Sequence, residues 1–164
     1  SGRHVIDALR RGYRLGFVGG GDVHDGRPGD AMHSQSYPPR PGATHYGEGF
    51  TAAWVPDVTR EHVYDAIRDH RTYAGTGGRI YLETDVRADA LALRAAATDG
   101  IARIVCVSRD GETVVEALEP GVRTLETSLP PPFADADDFV YVRVESTTGE
   151  MAWSSPAWQD EINV

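Results

Sequence analysis

The chain carries a short apolar run that breaks into three glycines and then into polar residues. Residues 15–29 are Leu15-Gly16-Phe17-Val18-Gly19-Gly20-Gly21-Asp22-Val23-His24-Asp25-Gly26-Arg27-Pro28-Gly29. The pattern predicts a buried strand from Leu15 to Val18 that ends in a site. Residues i and i+2 of an extended chain point to the same side, so Asp22 and His24 can reach one ion. A carboxylate with an imidazole suits zinc, manganese or iron better than calcium, which prefers oxygen ligands alone.

Two ligands do not complete a metal site, because a catalytic ion normally has three or more protein ligands and one open position. The remaining ligands must therefore come from elsewhere in this chain or from sequence outside it. His33 and His45 lie nearby in a Gly- and Pro-rich stretch, residues 26–49, that predicts a long irregular loop. Each is either a solvated loop residue, which is the commoner case, or a member of the site.

Composition restricts the function classes. The 164 residues include 25 acidic and 16 basic side chains, for a net charge of −9, and contain no basic run that nucleic acid or anionic lipid would need. No apolar stretch approaches 18 residues and no signal peptide is present, so we expect neither a nucleic-acid nor a membrane partner. The single cysteine, Cys106, lies in an apolar run and is expected to be buried rather than reactive. None of this identifies the cellular compartment.

The first half of the chain follows an α/β order. A helix is expected over residues 3–11 with Gly12 as its stop, followed by the strand at 15–18, a strand at 50–55, and a helix that Thr59 caps and that runs to about Arg71. A helix, a short loop, a buried strand and a polar site at the carboxyl end of that strand are typical of an α/β barrel or an open α/β sheet. We therefore expect residues 1–78 to be the terminal part of an incomplete α/β domain.

The second half changes to short strands separated by turns. About seven strands are expected between Arg79 and Trp153, with turns at Asp99-Gly100, Asp110-Gly111 and Thr148-Gly149. Residues 79–164 therefore predict a small antiparallel β-sandwich of the immunoglobulin-like kind. Trp153 and Trp158 are expected to close its core, with a sugar- or peptide-stacking platform as the alternative.

The chain resembles a known family at several ordered motifs. Gly20-Gly21-Asp22-Val23-His24 is similar to the last metal-ligand motif of the PHP superfamily, named for polymerase and histidinol phosphatase. The following segments resemble the carboxyl-terminal half of large bacterial PHP-like proteins of unassigned function: Asp25-Gly26-Arg27-Pro28-Gly29, Thr59-Arg60-Glu61, Arg71 to Ile80, Tyr141-Val142-Arg143-Val144, and Trp153 to Trp158.

The resemblance implies an α+β fold: the terminal α/β unit of an incomplete PHP-type barrel followed by the β-sandwich. It also implies a metal-dependent phosphoesterase-like hydrolase, with Asp22 and His24 as ligands of a divalent metal such as zinc, manganese or iron. Arg27 is close enough in sequence to contact a substrate phosphate, although a solvent-exposed loop arginine is the commoner reading. The chain has no His-x-His pair, so we expect it to be a carboxyl-terminal fragment that is inactive alone and needs the missing amino-terminal part of the barrel as its partner.

A binding or interaction module is the alternative function. In that case the sandwich recognises carbohydrate, peptide or a partner subunit, and Asp22 and His24 are ordinary loop residues. A homo-oligomer is also expected if a truncated α/β layer exposes apolar surface.

Overall fold

A computed structural model describes residues 4–21, 49–87, 89–130 and 138–162. Within these ranges the chain forms three helices and ten strands. The helices are α1 (Val5–Arg10), α2 (Arg60–Arg68) and α3 (Gln159–Ile162). The strands are β1 (Phe50–Ala53), β2 (Thr72–Gly75), β3 (Tyr81–Val86), β4 (Leu91–Ala96), β5 (Ile101–Ser108), β6 (Gly111–Ala117), β7 (Thr124–Leu129), β8 (Phe139–Ser146), β9 (Met151–Ser154) and β10 (Ala157–Trp158).

The strands form two antiparallel sheets of unequal size. The larger sheet has the order β1-β2-β9-β8-β5-β6, with β10 also paired to β8. The smaller sheet has the order β3-β4-β7. Every strand pairing in both sheets is antiparallel, so the described part of the chain has none of the parallel pairing that a β-α-β unit would give.

The two sheets share one apolar core. Strand β4 alternates strictly, with Leu91, Leu93 and Ala95 buried and the intervening residues facing outward or only partly covered. This period of two is what a sheet with one buried face requires. The buried members of the core come from both sheets: Tyr73, Ile80, Leu82, Leu91, Leu93, Ala95, Ala97, Ile101, Ile104, Cys106, Val140, Val142, Val144 and Ala152.

A second, smaller cluster attaches α1 to the opposite side of β8. Leu9 of α1 packs with Phe139 and Trp158, and the partly buried Phe17 and Tyr141 border them. Trp158 is buried, but in this cluster with α1 and not in the core between the two sheets that it was expected to close. Trp153 is only partly buried. The amino-terminal helix and the carboxyl-terminal strand are therefore held by the same side chains.

Helix α2 begins at the expected cap but ends earlier than expected. The Thr59 hydroxyl accepts a hydrogen bond from the His62 backbone N–H at 3.2 Å, as predicted for an N-cap residue. The helix ends at Arg68, earlier than the predicted Arg71. Ala66 is buried, whereas Tyr64 and Ile67 are exposed.

The predicted fold class, a terminal α/β unit of an incomplete PHP-type barrel followed by a β-sandwich, is wrong. The structure is mostly antiparallel β, with 44% strand and 15% helix, in two sheets that do not close. The described residues contain no barrel of the PHP type. The error has a physical cause: the apolar run at residues 15–18, interpreted as a buried strand, does not join either sheet.

The two sequence segments 1–78 and 79–164 are joined by backbone pairing. Strands β1 and β2 come from the first segment, and β2 pairs with β9 from the second through Tyr73↔Ser154, Ala74↔Trp153 and Gly75↔Ala152. The boundary between residues 78 and 79 stays a prediction, and it falls in the connection that carries the chain from the larger sheet to the smaller one.

The burial of Cys106 makes a testable prediction. Its side chain is 3% exposed, and burial raises the pKa of the thiol to about 11. Because the thiolate is the reactive form, we expect a thiol reagent such as DTNB to leave the native chain unmodified at pH 8 and to modify one thiol per chain in urea. Rapid stoichiometric reaction of the native chain would contradict the buried position.

Candidate functional site

The segment that leads to Asp22 is held by side-chain hydroxyls instead of a strand ladder. The Phe17 N–H donates to Ser155 Oγ at 2.9 Å, and Thr72 Oγ1 donates to the Phe17 carbonyl at 2.7 Å. Two residues later, the Gly19 N–H and carbonyl both bond Thr51 Oγ1, each at 2.9 Å. Threonine and serine therefore occupy the position that a neighbouring strand would otherwise fill.

The side chains of this segment are less buried than predicted. Phe17 is partly buried and makes an edge-on contact with Tyr141, with ring centroids 5.0 Å apart. Leu15 and Val18 are 38% and 60% exposed. The prediction of a buried strand at 15–18 is therefore wrong.

Four glycines bring three backbone segments close together next to this segment. We call Gly19, Gly20, Gly49 and Gly75 the glycine junction. A Cβ on Gly19 would lie 2.4 Å from the Phe50 carbonyl oxygen, and a Cβ on Gly49 would lie 2.9 Å from the Gly20 oxygen and 3.3 Å from the Gly75 oxygen. Since Cβ atoms do not approach other atoms below 3.0 Å, only glycine fits at positions 19 and 49 without a shift of the backbone.

The predicted site residues Asp22, His24, Arg27, His33 and His45 lie outside the described residues. Their roles as metal ligands, substrate contact and loop residues stay predictions. The structure describes the residues on either side of them, and both sides meet at the glycine junction, where Gly49 contacts Gly20. The Asp-x-His motif therefore starts two residues after a contact that fixes the backbone.

A carboxylate that sequence reasoning missed lies at the end of β2. Glu150 accepts hydrogen bonds from Thr76 Oγ1 and, at 3.2 Å, from the Gly78 N–H. The Gly78 amide of the turn that follows β2 therefore meets a carboxylate from within the chain. No local signal identifies Glu150, because 72 residues separate it from Gly78.

A network of four paired charged side chains lies on the outer side of β8. Glu145 is buried between Arg143 and Arg103, at 2.8 and 2.6 Å, and Arg143 also forms a bidentate pair with Glu112 at 2.7 and 2.8 Å. The hydrogen bonds from Arg143 hold the pKa of Glu112 below its usual range, and those to Glu112 raise the pKa of Arg143. Each charged side chain of the network pairs with one of opposite charge. The network therefore links the neighbouring strands β5, β6 and β8.

No cluster of three or more His, Cys, Asp or Glu side chains suited to a metal ion occurs among the residues that the structure describes. None of the described helices is long and apolar enough to cross a membrane.

An exposed aromatic pair lies where Trp54, which follows β1 of the larger sheet, meets Tyr81 of β3 in the smaller sheet. Trp54 and Tyr81 are 38% and 41% exposed and meet edge-on, with centroids 5.5 Å apart and planes at 87°. The Tyr81 hydroxyl donates to Glu83 at 2.9 Å. Arg94 on β4 lies 3.8 Å from Glu83 and 3.1 Å from Glu126. We call these five residues the aromatic face.

The known proteins to which this chain is similar have no function in their descriptions. A family model described as "Protein of unknown function (DUF3604)" matches residues 28–103. Similar curated proteins include uncharacterized proteins of Chlamydia pneumoniae, Chlamydia muridarum and Chlamydia trachomatis, which are 27%, 28% and 27% identical to this chain. Each alignment covers 95% of this chain and 28% of the relative. The chain thus spans less than a third of the length of these curated relatives. No solved structure matches it.

These findings contradict the resemblance to the PHP superfamily. The family model that matches is a different one, and no PHP protein supports the assignment. The interpretation of the ordered motifs as PHP motifs is therefore wrong. The matched range, residues 28–103, includes β1, α2, β2, β3 and β4, and this part of the chain is similar to the family of unknown function.

The glycine junction predicts a contrast between two neighbouring substitutions. Gly19→Ala places a methyl group 2.4 Å from the Phe50 oxygen, whereas Gly20→Ala meets no atom within 4 Å. We expect Gly19→Ala to lower the free energy of unfolding by about 1–3 kcal/mol, as forced overpacking does. Gly20→Ala is expected to change it by less than about 1 kcal/mol. Urea denaturation of both variants measures the difference, and equal stabilities would show that the segment is not packed against β1.

Proposed function

We propose that the chain contributes Asp22 and His24 to the divalent-metal site of a longer hydrolase. The observation that supports this most directly is the anchoring of the backbone just before the motif. Phe17 and Gly19 are hydrogen-bonded to three hydroxyls, and Gly19 lies against the Phe50 carbonyl. Metal ligands must be held to within a fraction of an ångström of their working geometry, and this anchoring fixes the point from which the ligands depart.

The residue types fit the chemistry of such a site. Asp22 supplies a hard carboxylate oxygen and His24 a borderline imidazole nitrogen, a pair that zinc, manganese and iron accept. A bound divalent ion would activate water by lowering its pKa. Both groups bind a metal only in their deprotonated forms, so the contribution of this chain would be to supply one carboxylate and one imidazole to the site.

The remaining ligands would come from polypeptide beyond this chain. The curated relatives are more than three times as long as the part that the chain covers. Two ligands alone give weak binding, so the isolated chain is expected to hold metal poorly and to lack turnover. The phosphoester substrate was implied only by the overturned resemblance, so the proposal extends to metal-dependent hydrolysis and leaves its substrate open. The role of Arg27 as a substrate contact remains a prediction.

Metal analysis of the longest polypeptide encoded with this chain tests the proposal. We expect Asp22→Asn and His24→Ala each to lower bound zinc, manganese or iron, measured by mass spectrometry of the purified protein, and to abolish its hydrolase activity. The control is His62→Ala, because His62 lies on α2 and, among the described residues, its ring bonds only the Asp57 carbonyl. The proposal would be contradicted if both ligand variants kept the metal content and the turnover of the unaltered protein.

A glycan-binding role is the second candidate, and the aromatic face favours it. Sugar rings pack their C–H faces on exposed aromatic rings while their hydroxyls bond carboxylates and guanidinium groups. Trp54 and Tyr81 provide the rings, and Glu83, Arg94 and Glu126 lie in register across β3, β4 and β7. Of the tail tryptophans named in the sequence, Trp158 is buried and Trp153 is partly buried, so both expose less ring surface than the aromatic face does.

Calorimetric titration with cellohexaose, chitohexaose and maltohexaose tests the second candidate. If one of them binds, Trp54→Ala should weaken binding about tenfold or more, equivalent to about 1.4 kcal/mol. Tyr64→Ala is the matched control, because Tyr64 is exposed on α2 and its ring contacts Arg68. The absence of binding to all three sugars, or an equal loss in both variants, would count against the aromatic face.

A further inference from the structure

The segment 15–20 presents one hydrogen-bonded edge and one open edge. In an extended chain the N–H and C=O of one residue point to the same side, and those of the next residue point to the other. The peptide groups of Phe17 and Gly19 point towards Thr51, Thr72 and Ser155. Those of Gly16 and Val18 point away and make no hydrogen bond within the described part of the chain.

The open edge is rigid. A Cβ on Gly16 would lie 2.8 Å from the His70 ring and 3.2 Å from the His70 Cα, so this glycine packs directly on the end of α2. Gly19 is packed as closely on β1. An edge fixed at both ends is already in the conformation that strand pairing needs, which lowers the entropy lost when a partner binds.

The side chains beside the open edge are apolar and uncovered. Leu15 and Val18 are 38% and 60% exposed, and neighbouring Tyr13 is exposed as well. Soluble proteins usually protect an open strand edge from pairing with another chain by a charged residue, a proline or a β-bulge. This edge has none of these between Leu15 and Gly20, as expected of a surface that another strand covers.

We propose that an extended, apolar strand of the polypeptide outside this chain pairs with the edge at Leu15 to Gly20. The length of the curated relatives supports this occupant, because 72% of each lies outside the alignment, the remainder of the 28% covered. A second copy of the chain is a poorer occupant, since each copy has a net charge of −9 and two copies repel one another. The inference does not depend on metal binding by Asp22 or His24.

Amide hydrogen exchange measured by NMR compares this chain with the longest polypeptide encoded with it. The Val18 N–H should exchange about a hundredfold or more slowly in the longer protein and fast in the chain alone. Asp22→Asn in the longer protein should leave this protection intact, which separates failure of the docking proposal from failure of the metal proposal.

A charge substitution supplies the second measurement. Val18→Lys should lower the thermal unfolding midpoint of the longer protein and leave that of the chain alone nearly unchanged. Val58→Lys is the matched control, because Val58 is 91% exposed before α2, and it should change neither midpoint.

Three results would overturn the proposal. Fast exchange at Val18 in the longer protein would mean that no strand pairs there. Slow exchange already present in the chain alone would mean that the edge is filled from within the chain, or by a second copy if the protection depends on concentration. A coding sequence that adds no further polypeptide would remove the proposed occupant.

Discussion

The apolar layer between the two sheets is the constraint from which the remaining architecture follows. Each sheet contributes one face, so the inward residues of every core strand must recur at every second position. In β4 this places Leu91 and Leu93 inside and Arg94 outside, midway between Glu83 and Glu126. A slip of one residue would bury the Arg94 guanidinium and expose both leucines. The register that closes the core therefore also builds the aromatic face.

The larger sheet is covered on both sides, and its second side positions the segment that leads to Asp22. Alternation along β8 sends Val142 and Val144 to the shared core and Tyr141 to the other side, where it meets Phe17. Thr51 and Thr72 hold the backbone of the segment through their hydroxyls. A hydroxyl can both donate and accept, so one threonine can satisfy the two peptide groups that a strand neighbour would otherwise pair. The segment is thus fixed in place without belonging to the sheet.

Local rules were sufficient for the elements that local interactions determine. Thr59 caps α2 as its side chain predicts, and Gly100, Gly111 and Gly149 occupy turns with φ of +89°, +132° and +84°, where glycine is favoured. Local composition does not predict strand β2, because Thr72 to Gly75 has little apolar character. Its neighbours β1 and β9 hold it in the sheet.

Long-range relations were not predictable from the sequence. An apolar run such as Leu15 to Val18 has the same composition whether a strand ladder or three hydroxyls hold it, and only the pairing partner distinguishes the two. The hydrogen bond from Gly78 to Glu150 joins residues 72 positions apart, so no local sequence pattern predicts it. The motif at Asp22 and His24 was found because its residues are adjacent in sequence. The resemblance drawn from such short motifs also produced the incorrect prediction of a PHP-type barrel.

Close packing explains two glycines of the glycine junction, Gly19 and Gly49, but not Gly20. Gly19 and Gly49 are excluded from having a Cβ by backbone atoms at 2.4 and 2.9 Å, so packing alone accounts for these two glycines. Gly20 meets no atom within 4 Å at its Cβ position and has no positive φ that would demand glycine. Packing within the described residues therefore gives no reason for a glycine at position 20, between two segments whose backbones are closely fitted. A residue without a side chain at that point leaves room beside the start of the Asp-x-His motif, and such room is what a ligand or an approaching backbone needs.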